Sequence, residues 1–359
     1  MLRLKAGLIK PDAAIAQSRK QLSKDSPRGH WQVIAEAAAL AGNRSVRIEA
    51  LEQLVQTAGG RKEAGTAAAE LWQTYLTLAQ EAANLNHLLV GDDPAWSAYA
   101  SQRLQPDPFM ARAFYAYLAQ RARSQEARQA AQLQLVLSLQ KGKLDAVALR
   151  LFDQATIDVA AIDRQARYRL GSIAEARDEA ALAARLWAGL AVPAGTTMAE
   201  WEMRHALVYW RAGNPEEALK ALAAAASEKQ SLPANAVRDA IALGQEMIAA
   251  GKAETADASL PALLLLAGTG YQRELLMALG RTAEASGLFA RAGGYFLQAA
   301  LAPDGRARDA TAPTARLAAG LNLARAGYKQ DARAQFEWVV DHSRDPAERE
   351  VARRGLSKL

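Results

Sequence analysis

The chain has 359 residues, no cysteine, and 44 Lys and Arg against 38 Asp and Glu. The missing thiols exclude disulfides, thiolate catalysis and cysteine-ligated metals. The net charge of +6 is local: residues 1–30 hold Arg3, Lys5, Lys10, Arg19, Lys20, Lys24 and Arg28 against Asp12 and Asp25, and the remainder is close to neutral, which argues against a basic nucleic-acid groove running along the molecule.

In chain order, Leu2 to Gly7 reads as the tail of a helix stopped by a glycine. On that reading Met1 falls inside a helical hairpin, and the sequence is expected to be a fragment of a longer chain. The compartment then depends on what precedes it: periplasmic if an upstream signal peptide is missing, cytoplasmic otherwise. The basic stretch of residues 1–30 reads as the solvated face of a helix, with weak contact to an anionic surface as the alternative. Pro11 opens a helix carrying Ile15, Ser18 and Leu22 on one face.

Helices are predicted at about 29–41, 45–57 and 62–86, broken at Gly59-Gly60, with Trp31, Leu40, Leu51, Leu54, Leu71, Leu76 and Leu78 as their core. Gly91-Asp92-Asp93-Pro94 is a loop in which Asp93 caps the next helix. Asp107-Pro108 repeats the device, and Asp345-Pro346 adds Glu348 as a capping box. The longest apolar run, Leu260 to Ala267, contains Pro261 and is too short to span a bilayer, so no transmembrane segment is expected. Strong helix formers dominate throughout and no stretch alternates with period two, which predicts an all-α fold.

Five windows share one sparse pattern. The best copy is Leu279-Gly280, Gly287, Ala292, Phe296, Ala299 and Pro303. Others read Gly320, Gly327, Ala332, Phe336 and Pro346; Leu243-Gly244, Gly251, Ala256 and Leu260; and Leu170-Gly171, Ala183, Trp187 and Pro193. The weakest keeps Gly213, Ala218 and Ala225 but has Val208 at the first glycine position. Anchored there, the copies step by 37, 36, 36 and 40 residues. A small residue lets two helix backbones cross closely, a second glycine ends the first helix, and an aromatic or leucine four residues after an alanine fills the groove. No such unit buries its apolar face alone, so neighbours must stack.

This set resembles the tetratricopeptide repeat, over roughly residues 131–346. It departs in period, which runs longer than the usual ~34 residues, and at Pro261, which is expected to end its second helix early. The resemblance implies a right-handed α-α superhelix. Residues 1–130 would form irregular helical hairpins, 131–346 the repeats, and 347–359 a capping helix, all in one possibly continuous solenoid.

Catalytic motifs are missing. His30, His87, His205 and His342 have no partner at metal-binding spacing, and no phosphate loop, nucleophile elbow or zinc-protease helix is present. No enzyme activity, metal or cofactor is therefore expected. Long α-superhelices also form the arm of soluble lytic transglycosylases, whose catalytic glutamate lies in a separate domain, typically in a Glu-Ser dipeptide absent here. Of the seven tryptophans, Trp31, Trp72 and Trp187 read as core.

The tetratricopeptide resemblance implies that the first helix of each unit lines a groove for extended or helical protein segments. The positions it implicates are Tyr168 with Ser172, His205 with Tyr209, Ile241 with Gln245, Met277 with Arg281, and Leu317 with Leu321, joined by Gln165, Glu202, Arg238 and Glu274. Their mixed aromatic, polar and methionine chemistry suits a peptide better than phosphate. The expected function is a non-catalytic bacterial scaffold that holds a protein or peptide partner in an envelope-associated or secretion assembly. The alternatives are a glycan-binding helical arm of a peptidoglycan or polysaccharide system, and an architectural spacer.

Overall fold

The computed structural model describes residues 4, 6–22, 27–58, 61–85, 92–154, 159–229, 231–268, 270–302 and 311–359. Gly59, Gly60, His87, Gly91, Thr269 and Pro303 lie outside them. The chain divides into two compact units, Met1–Leu190 and Ala191–Leu359. Among the described residues there is no strand, only a parallel bridge between Leu232 and Ala267.

The first unit contains α1 (Pro11–Gln21), α2 (Pro27–Leu40), α3 (Arg44–Gln56), α4 (Arg61–Leu85), α5 (Asp93–Arg103), α6 (Pro108–Arg121), α7 (Gln125–Lys141), α8 (Asp145–Gln154), α9 (Arg164–Ala176) and α10 (Ala180–Trp187). The second contains α11 (Met198–Arg211), α12 (Pro215–Ala226), α13 (Ala234–Ala249), α14 (Ala253–Ser259), α15 (Gln272–Ala285), α16 (Phe289–Leu301), α17 (Thr311–Arg325), α18 (Lys329–His342) and α19 (Pro346–Leu356). Successive helices pair as hairpins, and in the second unit α11, α13 and α15 also pack side by side as one layer.

The glycines explain how closely the hairpins cross. A Cβ built at Gly280 would stand 2.6 Å from the Phe296 ring, at Gly320 2.7 Å from Phe336, and at Gly244 2.8 Å from Leu260. In the first unit Gly171 faces Trp187 in the same way. Each pair is separated by sixteen residues. In the copy without the first glycine, Ala206 stands seven residues before Gly213, as Gly280 does before Gly287, and sixteen before Leu222, and both are buried in one cluster; the small position is therefore Ala206, not Val208 as the sequence spacing suggested. In the four copies that keep a second glycine, Gly213, Gly251, Gly287 and Gly327 have φ between 71° and 87°, a left-handed conformation that glycine adopts with least strain and that ends the first helix; in the Gly171 copy Asp178 takes that position with φ 58°.

Pro261 acts as expected: α14 stops at Ser259, and Leu260–Leu265 continues as a 3-10 helix. Phe336 is held from two sides, since a Cβ at Gly355 of α19 would also lie 2.7 Å from its ring.

Local details differ from expectation. Asp92, not Asp93, caps α5 by accepting from Ala95 N–H. Asp93 already stands inside the helix, and its Oδ2 accepts from the N–H of Arg123 at 2.8 Å, at the entry to α7. Asp107 caps α6 as expected, and Asp345 caps α19. Glu348 does not close a box, because its carboxylate is taken by Ser343 Oγ and Thr314 Oγ1. Leu51, Leu54, Leu71 and Leu78 are buried, whereas Leu40, in the last turn of α2, is 62% exposed. Ile34 and Tyr75 are fully buried in the surrounding core.

Candidate functional site

The first-helix layer of the second unit carries most of the groove positions. Arg238 and Gln245 on α13, and Glu274 and Arg281 on α15, are exposed. Tyr209 on α11 and Met277 on α15 are half-buried, Met277 packing against the clusters around Phe296 and Ala299. Burial raises the Tyr209 hydroxyl above its ordinary pKa, with Glu217 and Glu202 adding to the effect.

Neighbouring first helices are also stitched by polar pairs about one repeat apart, a signal the sequence reading missed. Arg211 of α11 bonds Glu246 of α13 at 2.7 Å, and Arg325 of α17 bonds Glu284 of α15 at 3.1 Å. Such half-exposed pairs fix spacing more than they add stability.

His205 belongs inside rather than on the open face. It is 7% exposed, lying 4.2 Å from the Trp201 ring and 5.5 Å from Tyr209 in an aromatic row along α11. Trp201 is itself buried, so this stripe of the helix faces neighbouring side chains. Burial, helped by the charge of Arg204, lowers the imidazole pKa to about 4. Above its ordinary value of 6.5 the ring is neutral in folded and unfolded chains alike, and the shift has no effect. As the pH falls from 6.5 to about 4, the unfolded chain takes up a proton that the folded one refuses, and stability is lost. The full loss is on the order of 3 kcal/mol. Urea unfolding across that range should show the decline in the wild type and a flatter curve in His205→Phe; equal slopes would show that His205 is not its source.

Tyr168 lies in the first unit, half-buried on α9, where its carbonyl accepts from Trp187 Nε1 at 3.2 Å. With Arg169, Ser172 and Gln140 it lines a cavity of about 450 Å³.

The first unit also holds a charged constellation that no sequence motif announced. Glu52 of α3 is 2% exposed and Arg112 of α6 is 5% exposed. Arg112 Nε donates to one carboxylate oxygen at 2.8 Å and Nη2 to the other at 2.9 Å, while the hydroxyl of Tyr75 on α4 donates to Glu52 at 2.5 Å. Burial raises the Glu52 carboxyl above its ordinary pKa, with Arg112 and Tyr75 pulling against it. The three residues stand 23 and 60 positions apart from Glu52, so only the packing of α3 with α4 and α6 brings them together. Glu52 and Arg112 form part of the wall of a cavity of about 590 Å³.

Among the described residues no cluster of three or more His, Asp and Glu is placed to hold a metal, and no helix is long and apolar enough to cross a membrane. None of the seven tryptophans is fully exposed: Trp72, Trp96, Trp187 and Trp201 are buried, and Trp31, Trp210 and Trp338 are half-buried. The Trp338 ring stacks on the His342 ring at 4.4 Å and has the Arg316 guanidinium 4.3 Å from its centre.

A first-helix glycine seating a second-helix side chain, with a left-handed glycine between them, is the decisive geometry. The chain is an all-α protein of repeated helical hairpins that resemble the tetratricopeptide repeat. No family model matches it, and no curated protein gives a significant match. Among solved structures it is similar to the TPR domain of P58(IPK), at 14% identity and a TM-score of 0.26 over 99% of this chain and 94% of that one. A circular tandem repeat protein with novel repeat topology and enhanced subunit contact surfaces matches at 13% identity and a TM-score of 0.17, over 97% and 81%.

Proposed function

We propose that this TPR-like protein is a non-catalytic scaffold whose second unit holds a segment of a protein partner on the open face of its first helices, within a bacterial envelope-associated or secretion assembly. The observation that carries the reading is the layer of α11, α13 and α15. On these helices Arg238, Gln245, Glu274 and Arg281 are exposed, with Tyr209 and Met277 half-buried among them. Polar groups at that density give register, and the flanking tyrosine and methionine supply adaptable apolar contact. No titratable group on this face is paired with a nucleophile, which suits holding rather than turnover.

The test is selection of peptides from a displayed library against the full chain, repeated with Tyr209→Ala/Met277→Ala/Arg281→Ala. Peptides that bind the wild type should lose tenfold or more in affinity for the folded triple variant, on the order of 1–2 kcal/mol per anchor where anchors act independently. Equal binding by both proteins would put the partner surface elsewhere.

A further inference from the structure

The cavity in the first unit has a composition of its own. Its wall is built from α3, the residues around the start of α6, and α7. Glu52 and Arg112 neutralise each other there, and Glu49 is paired with Arg19 of α1. Lys141 is exposed at the rim. Among the described residues, the side chains of Gln53, Gln105, Gln134 and Ser138 have no hydrogen-bond partner, whereas the Arg112 guanidinium is engaged by Glu52 and by Tyr75. Phe109 supplies an aromatic surface, one face of which is covered by the Arg112 guanidinium at 5.2 Å.

This inventory selects a ligand by elimination. A second full charge on the floor would be desolvated beside a pair that is already satisfied. An apolar ligand would cover three amides and a serine hydroxyl without bonding them, and buried polar groups left unpaired are costly. The backbone of helical walls is bonded to itself, so an extended peptide would find none of the main-chain partners it uses at a sheet edge. What remains is a neutral molecule whose groups both donate and accept at short intervals and whose other faces are C–H. Hydroxyls meet the first requirement against glutamine amides and a serine, and a pyranose ring meets the second against Phe109 and the neighbouring leucines. The volume of about 590 Å³ lies inside the range of small-ligand pockets, roughly 300–1,000 Å³.

We propose that the cavity walled by α3, α6 and α7 is a binding site for a neutral carbohydrate, about the size of a disaccharide. The glutamines and Ser138 read its hydroxyls, beside a Glu52–Arg112 pair that is already satisfied. This site lies in the first unit and does not depend on a protein partner at the second.

The test uses the full chain in saturation-transfer NMR and calorimetry with maltose, cellobiose and N,N′-diacetylchitobiose. A glucuronate-containing disaccharide and the dipeptide Gly-Gln serve as contrasts. At least one neutral disaccharide should bind saturably. Its affinity should fall about tenfold in Gln134→Leu, and similarly in Ser138→Ala, as expected for one lost hydrogen bond. It should be unchanged in Arg281→Ala. Gln134 and Gln105 are exposed, so Gln105→Leu is a second variant expected to keep the fold, checked by circular dichroism. Three results overturn the proposal: none of the neutral disaccharides saturates, the uronate or the dipeptide binds in preference, or the folded variants retain wild-type affinity.

Discussion

Phe296→Ala is expected to cost about 3–5 kcal/mol of unfolding free energy, and in its background Gly280→Ala should change sign. In the wild type, a methyl at Gly280 would stand 2.6 Å from a ring that is 2% exposed and has nowhere to go, so Gly280→Ala should destabilise by about 1–3 kcal/mol through overpacking. Glycine in the middle of α15 otherwise costs roughly 0.5–1 kcal/mol relative to alanine. Once the ring is removed the clash is gone, and the same substitution should recover that amount, with Gly280→Val filling more of the cavity. Urea denaturation of the two singles and the double gives the coupling directly. If Gly280→Ala costs the same with and without the ring, the glycine is kept for some reason other than close approach.

This interlock was legible in the sequence because both of its requirements are local and repeated. A small residue and a large one recur at fixed offsets in Leu-Gly, Gly, Ala and Phe, so the fold class, the hairpins and the early end of α14 at Pro261 could be read from spacing. The capping of α5 was misassigned by one residue because Asp92 and Asp93 carry the same group, and only the path of the chain decides which one faces Ala95 and which reaches Arg123. His205 sits at a position that reads as groove-facing by offset, yet Trp201 and Tyr209 on the same stripe enclose it. The offset counts turns of one helix, while burial depends on what the adjoining helices bring against that stripe. The carbohydrate-sized cavity was invisible for a similar reason. Its residues come from α3 and the start of α6, in the irregular N-terminal hairpins, and from α7 at the edge of the repeats, and no period relates these helices to one another.

The buried pair in that cavity supplies the other large effect. Glu52→Leu should destabilise by about 3–5 kcal/mol, because it leaves the Arg112 guanidinium buried without a counter-charge, and arginine cannot shed its proton to escape. Arg112→Met should cost less, and less still as the pH is lowered. The stranded carboxyl is already raised by burial, so it becomes neutral as the pH falls toward its folded value, and the charge penalty disappears. Glu52→Leu has no such relief over the same range. The double variant Glu52→Leu/Arg112→Met removes both charges and should be closer to the wild type than Glu52→Leu alone, with Tyr75→Phe added to remove the orphaned hydroxyl. Denaturant midpoints at neutral and mildly acidic pH distinguish these cases, and equal costs for the two singles at both pH values would refute the asymmetry. An apolar replacement that is nearly neutral for stability would mean that the fold does not require the ion pair.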